Sequence, residues 1–346
     1  MSWLGTGEDE DDGPDESDVR ARPNPRGSRP RTKRRPAHAD AWVARVLGVD
    51  RGRYAVLVDE DGERERQVVA TRARELRRDP IVTGDRVRVV GDVSGDEGAL
   101  ARIVAVEPRT TLLRRSADDA DTVERAIVAG ADRMLIVVAA ADPPPRPRFV
   151  DRCLVAAFDA GIEPALLITK TDLADPGPTI AYVAGLDVPV FTSRPDRMPL
   201  AELGARLPGH VTVLIGHSGV GKSTIVNALV PDAGRATGAV NDVTGRGRHT
   251  SSSTVSLRYR SADGSGWLID TPGVRSFGLG HVDPRRVLAA FADLAEAARD
   301  CPRGCTHLPD APDCALPDAA ADGRLGPAGT ARLDSLHRLL GALTPA

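Results

Sequence analysis

Between about Asp40 and Arg109, apolar and polar positions alternate in five short runs: Trp42–Leu47, Tyr54–Val58, Gln67–Ala70, Arg86–Val90 and Ala101–Val106. Successive side chains of a strand point to opposite faces, so each run reads as a half-buried strand. Turn residues separate them, notably Asp59-Glu60-Asp61-Gly62 and the stretch from Asp92 to Gly98. Five such strands predict a small antiparallel barrel of OB type. Barrels of this kind commonly bind RNA, but the runs carry no aromatic ladder on which bases could stack, so a plain docking module is an equal alternative.

From Asp132 to Asp270 the pattern changes. The apolar runs Met134–Val138, Ala165–Thr169, Val188–Phe191, Val211–Ile215 and Trp267–Ile269 alternate with helical stretches. That alternation predicts a mainly parallel sheet covered by helices on both faces. After Gly280 the chain reads as helical. Asp283 can cap a helix beginning at Pro284, with Val287, Leu288, Phe291, Leu294 and Ala298 on one face. A last amphipathic helix carries Leu333, Leu336, Leu340 and Leu343. The pattern divides the chain into a tail (1–39), a barrel (40–112), an α/β domain (113–280) and a helical C-terminal domain (281–346). The tail lacks apolar periodicity and joins an acidic block, Glu8 to Asp18, to a basic, proline-rich block, Arg20 to Arg35, which predicts disorder.

With 346 residues, 41% of them hydrophobic, the chain can fill more than one core. It has no run of eighteen apolar residues, and its acidic start lacks the basic and apolar regions of a signal peptide, so the reading is a cytoplasmic protein with no membrane partner. A monomer is expected. A net charge of −3 gives no general attraction to nucleic acid; RNA contact would rest on local patches such as Arg72 to Arg78 and on the basic arm. Only three of the 46 basic residues are lysines: Lys33, Lys170 and Lys222. A lysine kept against such an arginine bias marks a place that needs a compact ammonium.

Two of the three lie in nucleotide motifs. Val211–Ile215 runs into Gly216-His217-Ser218-Gly219-Val220-Gly221-Lys222-Ser223-Thr224, which fits G-x-x-x-x-G-K-[ST] and continues into a helical stretch. Backbone N–H groups of such a loop wrap phosphates, Lys222 reaches the β- and γ-phosphates, and the Ser223 hydroxyl ligates Mg²⁺. Some fifty residues on, Asp270-Thr271-Pro272-Gly273 ends a short strand, where Asp270 can hold Mg²⁺ and the Gly273 N–H can sense the γ-phosphate. Between them, Gly245 to Thr254 is a polar switch loop. Thr250 is the first choice for a hydroxyl closing on Mg²⁺, with Thr254 and the intervening serines as alternatives, and His249 is the candidate to orient water, since Val274 cannot.

The remaining lysine falls in Thr169-Lys170-Thr171-Asp172, close to the N-K-x-D element that reads guanine: the Asp172 carboxylate can accept both N1–H and the exocyclic amine. Thr169 replaces the usual asparagine. Ser193, after the strand Val188–Phe191, sits where backbone could meet the guanine oxygen. The guanine reader precedes the phosphate loop by about fifty residues, the reverse of the usual order, so the motifs are circularly permuted. Near the C-terminus Cys301-x₃-Cys305-x-His307-x₆-Cys314 offers three thiolates and an imidazole, a closed structural zinc set, while Cys153 reads as a buried core residue.

Barrel, permuted GTPase and three-cysteine, one-histidine module together resemble the RsgA/YjeQ family of bacterial ribosome small-subunit-dependent GTPases, over about residues 40 to 320. The chain departs from that pattern at Thr169 and by one residue in two intervals of the cysteine site. The resemblance implies a multidomain protein in which an OB-like β-barrel and a zinc domain flank an α/β circularly permuted P-loop GTPase domain. It also implies slow GTP hydrolysis stimulated by the small (30S) subunit, contact with its rRNA, a role in late maturation of that subunit, and a switch-loop histidine acting on water. Alternatives are a large-subunit assembly GTPase, a nucleotide-binding RNA scaffold without turnover, and a P-loop ATPase.

Overall fold

The structure is a computed structural model, and it describes residues 38, 40–76, 80–116, 124–233, 254–273 and 278–343. His249, Thr250, Val274, the switch loop before Thr254 and nearly all of the tail lie outside these residues.

Five strands form the barrel: β1 (Trp42–Asp50), β2 (Arg53–Val58), β3 (Arg66–Arg72), β4 (Arg86–Gly91) and β5 (Ala101–Val106). The neighbour order is β1-β2-β3-β5-β4, and a β1–β4 pairing closes the ring. All five were expected, but the barrel is not wholly antiparallel, because β3 and β5 run parallel. Closure leaves no edge strand exposed to stray pairing. Val46, Val56, Val58, Ala70, Val87, Val89 and Ile103 fill the interior, each 2% exposed or less.

A two-stranded hairpin follows, β6 (Leu112–Arg115) with β7 (Arg125–Ala129), which the apolar pattern did not mark. The sheet of the α/β region comprises β8 (Arg133–Ala139), β9 (Glu163–Thr169), β10 (Val190–Thr192), β11 (Val211–Ile215), β12 (Val255–Ser261) and β13 (Gly264–Asp270), in the order β10-β9-β8-β11-β13-β12. All neighbours run parallel except the β12–β13 hairpin. Strand β10 starts two residues later than the Val188–Phe191 run, and β12 was not anticipated. Helices α1 (Pro147–Ala160), α2 (Gly177–Val183), α3 (Leu200–Gly204) and α4 (Lys222–Leu229) connect the strands.

The alternation along β8 shows how two faces are buried at once. Met134, Ile136 and Val138 join the core under α1, whereas Leu135, Val137 and Ala139 join the core under α4. Neither core stops at the α/β region. The second extends to Leu47, Ala55 and Leu57 of the barrel, and the first to the C-terminal helices.

Those helices are α5 (Pro284–Ala289), α6 (Ala292–Ala297), α7 (Ala315–Ala321) and α8 (Gly329–Gly341). Asp283 caps α5 as expected, its carboxylate accepting from the Arg285 N–H. The single helix expected from Pro284 to Ala298 is instead two, broken at Phe291, which adopts φ −111° and ψ 83°. The break turns the Phe291 ring into the core, 2% exposed, edge-on to Phe158 and under the Arg332 guanidinium. Burying an aromatic ring outweighs one or two helical hydrogen bonds. On α8, Leu333, Leu336 and Leu340 are buried as the periodicity required, whereas Leu343 lies beyond the helix end at Gly341 and is only partly buried.

Candidate functional site

Strand β11 ends at Ile215 and α4 begins at Lys222, so Gly216 to Gly221 form the turn between them. Gly221, at the start of α4, has φ +94°, a conformation in which a Cβ is strained. Val220 is buried in the core while Ser218 and Gly219 lie exposed. His217 packs its ring against Phe149 at the start of α1, with centroids 4.1 Å apart. Ser223 and Thr224 are exposed on the first turn of α4. Lys222 is 7% exposed, and its Nζ donates to the carbonyls of Gly216 (2.7 Å) and His217 (3.0 Å).

Strands β11 and β13 are parallel neighbours, so both chain ends open on the same side, and the Asp270 to Gly273 turn meets the phosphate loop there. The Thr271 hydroxyl donates to the Leu214 carbonyl at 2.6 Å. Gly273 lies so close to the loop that a Cβ on it would stand 2.7 Å from the Ser218 backbone nitrogen. Asp270 Oδ1 is buried and has no hydrogen-bond partner among the described residues. Burial pushes the Asp270 carboxyl above its ordinary range, and Lys222 opposes that; burial likewise lowers the Lys222 ammonium, and Asp270 opposes that. A buried acceptor with a free lone pair beside a phosphate-type loop fits water of a hydrated Mg²⁺.

The β9 end brings the third motif alongside. Thr169 is buried, and its hydroxyl lies 2.6 Å from the Val220 carbonyl and 3.2 Å from that of Val138. Threonine here therefore ties the guanine-type element to the phosphate loop by one short hydrogen bond. Lys170 takes a left-handed conformation, φ 55°, and its ammonium donates to the Asp142 carbonyl, a partner no sequence pattern marked. Thr171 donates through its backbone N–H (3.2 Å) and hydroxyl (3.3 Å) to the Ser193 carbonyl, which joins the two base-side segments. Ser193 is buried and Asp172 exposed, which leaves the carboxylate open to a ligand. A cavity of ≈ 550 Å³ adjoins Thr171, lined by Phe191, Thr192, Arg194, Arg197 and Glu202.

The four C-terminal residues also converge. The ligand atoms of Cys301, Cys305, His307 and Cys314 lie within 4.8 Å of one another. Cys301 Sγ lies 3.7 Å from His307 Nδ1 and 3.9 Å from Cys314 Sγ, and Cys314 Sγ lies 3.8 Å from His307 Nδ1. Tetrahedral zinc with Zn–S bonds of about 2.3 Å sets ligand atoms about 3.6–3.8 Å apart, so the set fits that metal. Backbone N–H groups of His307 and Ala315 point at Cys305 Sγ (3.4 Å) and Cys301 Sγ (3.3 Å), as thiolates require. Burial pushes the Cys314 thiol up to about 12, so a cation is needed to hold it as thiolate. Burial also lowers His307, which keeps its imidazole neutral and able to ligate.

The RsgA GTPase family model matches residues 106–280. The small ribosomal subunit biogenesis GTPase RsgA of Azotobacter vinelandii is 38% identical over 82% of this chain and 81% of its own. That of Pseudomonas aeruginosa is 38% identical over 76% of each. Among solved structures, YjeQ from Thermotoga maritima shares the fold with a TM-score of 0.61 at 22% identity, covering 88% of this chain and 98% of its own. YloQ, described as a circularly permuted GTPase, gives 0.59 at 22% identity, over 90% and 99%. The permuted order of base-side and phosphate motifs thus has its counterpart in known folds, and the chain belongs to the RsgA GTPase family of GTP-hydrolysing enzymes.

Proposed function

We propose that the protein binds GTP with Mg²⁺ and hydrolyses it slowly, is stimulated by the small (30S) ribosomal subunit, and acts in late maturation of that subunit. The observation that carries the reading is the seating of Gly273 against Ser218 beside the unpartnered Asp270 Oδ1. A γ-phosphate held by the loop from Gly216 to Thr224 must then meet the turn that ends β13. In this reading Lys222 serves the β- and γ-phosphates, Ser223 and Asp270 hold Mg²⁺, and the Gly273 N–H senses the γ-phosphate. Asp172 reads guanine with backbone help from Lys170, Thr171 and Ser193, and Thr169 anchors that reader to the phosphate loop.

His249 is assigned to the attacking water and Thr250 to Mg²⁺ closure on the sequence alone. Zn²⁺ held by Cys301, Cys305, His307 and Cys314 is structural, because the set offers four ligands and no open position. The three-module division, a monomeric state, contact with rRNA and a cytoplasmic location complete the proposal; among the described residues no helix is long and apolar enough to cross a membrane. The test is GTP turnover by the full chain with purified small and large subunits in parallel. Stimulation by the small subunit alone is expected; equal stimulation by both, or none, refutes the proposal.

A further inference from the structure

The hairpin β12–β13 is the only described connection between the two switch-type segments. β12 starts directly after the segment that ends at Thr254, β13 ends at Asp270, and Val255 pairs with Asp270 across the hairpin. The barrel grips this hairpin at two places. At the near end Gly48 of β1 pairs with Val255, and Thr83 donates to the Thr254 carbonyl at 3.2 Å. Three residues further along, where Arg258 pairs with Trp267, the barrel's β2–β3 loop reaches over and closes a charged cluster.

Glu60 is its centre. Its side chain is 9% exposed, yet it accepts from the Trp267 indole N–H at 2.8 Å, from Arg45 Nε at 3.1 Å and from Arg86 Nη1 at 2.6 Å. The guanidiniums of Arg45 and Arg258 stand over the Trp267 ring, 4.9 and 5.0 Å from its centroid. Arg258 also pairs with Asp61 and lies 3.6 Å from Glu65, and Arg260 pairs with Glu65 at 3.2 Å. The loop is itself braced, with the Arg64 N–H on Asp59 and the Asp61 N–H on Glu65. Arg258 Nε and Nη1 nevertheless remain buried with no hydrogen-bond acceptor among the described residues. A buried charge cluster is expensive unless its geometry is held, and replacing it by apolar residues is often no less stable. Its geometry, fixed to the strand that presents Asp270, is therefore better explained by positioning than by stability.

We propose that Glu60, Arg45, Arg258 and Trp267 are positioning residues for GTP hydrolysis, a clamp by which the barrel fixes the β12–β13 hairpin and so the placement of Asp270. The clamp acts through Asp270 and touches no phosphate. It rests on the reading of Asp270 given above. Its partners are all within this chain, so whatever shifts the β2–β3 loop shifts Asp270.

Two variants in the full-length chain test it. Trp267→Phe keeps a ring beneath the guanidiniums but removes the N–H to Glu60; Glu60→Gln keeps the shape but removes the charge. With small subunits present, kcat should fall at least about fivefold in each, while KM for GTP and GDP affinity stay within about twofold. Both should melt well above the assay temperature. In a Trp3→Phe, Trp42→Phe background Trp267 is the sole indole, and its emission should differ between GDP and a non-hydrolysable GTP analogue. Asp270→Asn is the reference. A collapsed kcat there beside normal kcat in both clamp variants overturns the clamp alone, and so does a Trp267 emission indifferent to the nucleotide. A normal kcat in Asp270→Asn removes the site reading and the clamp with it.

Discussion

Gly273 is the residue on which the phosphate side of the site closes. A methyl group there would lie 2.7 Å from the Ser218 nitrogen and 3.0 Å from its Cα, both backbone atoms that cannot rotate away. Gly273→Ala must therefore displace the turn after Asp270 or distort the phosphate loop. The displacement is the cheaper, since the loop is held by Val220 in the core and by Thr169. On the proposed role of the Gly273 N–H as γ-phosphate sensor, GDP affinity should stay nearly intact while GTP turnover drops on the order of tenfold or more. A stopped-flow comparison of GDP and GTP analogue binding, with single-turnover hydrolysis, checks it; equal loss of both nucleotides contradicts it. At this scale the sequence was most legible where chemistry demands a residue type in a fixed spacing, as from Gly216 to Thr224 and from Cys301 to Cys314. It was silent where a partner is backbone. Nothing in composition marks the Asp142 carbonyl as the acceptor for Lys170, or the Leu214 carbonyl for Thr271.

The barrel strands, β8, β9, β11 and β13 were readable from their apolar runs, whereas β6, β7 and β12 were not. β6 has only two apolar residues, and its partner β7, though mostly apolar, was not marked. β12 does alternate, with Val255, Leu257 and Tyr259 inward, but Ser256 is buried as well and blurs the period. Helix pairing was not readable at all. Asp151 of α1, 3% exposed, accepts from Tyr182 of α2 and from Arg338 of α8 at 3.0 Å, and Arg338 stacks 4.0 Å over the Tyr182 ring. Burial raises the Asp151 carboxyl despite both partners. A carboxyl whose folded pKa is raised favours folding below its unfolded pKa and loses that contribution as pH rises through the folded value. Asp151→Ala leaves Arg338 and Tyr182 without their acceptor. With Arg338 27% exposed, solvent offsets part of the loss, and we expect about 2 kcal/mol of destabilisation at pH 7. Asp151→Asn should cost less and flatten the pH dependence across the weakly acid range. Urea midpoints at several pH values decide this, and a parallel pH slope in Asp151→Asn and the unmutated chain would contradict it.

Across the whole molecule one face of the sheet is shared with the barrel and the other with the C-terminal helices, so the GTPase region is held between two neighbours that its own sequence does not announce. The C-terminal side is built from two unequal parts. Leu316, Leu333, Leu336 and Leu339 are buried in the core that contains α1, and each contributes about 1.5–3 kcal/mol of burial. The stretch from Ala298 to Asp313, by contrast, has no fully buried residue: Ala298, Cys301, Cys305, Leu308 and Ala311 pack only partly against that core, and turns, hydrogen bonds and a four-residue set able to hold a metal complete its support. Metal removal should therefore loosen that stretch and leave α8 docked. The chain from Gly278 onward joins the same side of the molecule: Gly278 accepts from the Ser116 N–H at 3.1 Å, the Gly280 N–H donates to the Ser116 hydroxyl at 3.1 Å, Leu279 lies in the same core, and α5 follows. α5 and α6 lie in sequence between Gly278 and the cysteines, so on the proposed roles a loosened cysteine stretch reaches the turn at Gly273 before it reaches Asp172. Chelation, or Cys305→Ser, should accordingly raise amide exchange from residue 298 to 314 while exchange in α1 stays unchanged. GDP affinity should stay within about twofold, and small-subunit-stimulated turnover should fall several-fold. Purified protein without stoichiometric zinc, or exchange that rises equally in α1 and the cysteine stretch, would show that the metal does not divide the C-terminal side in this way.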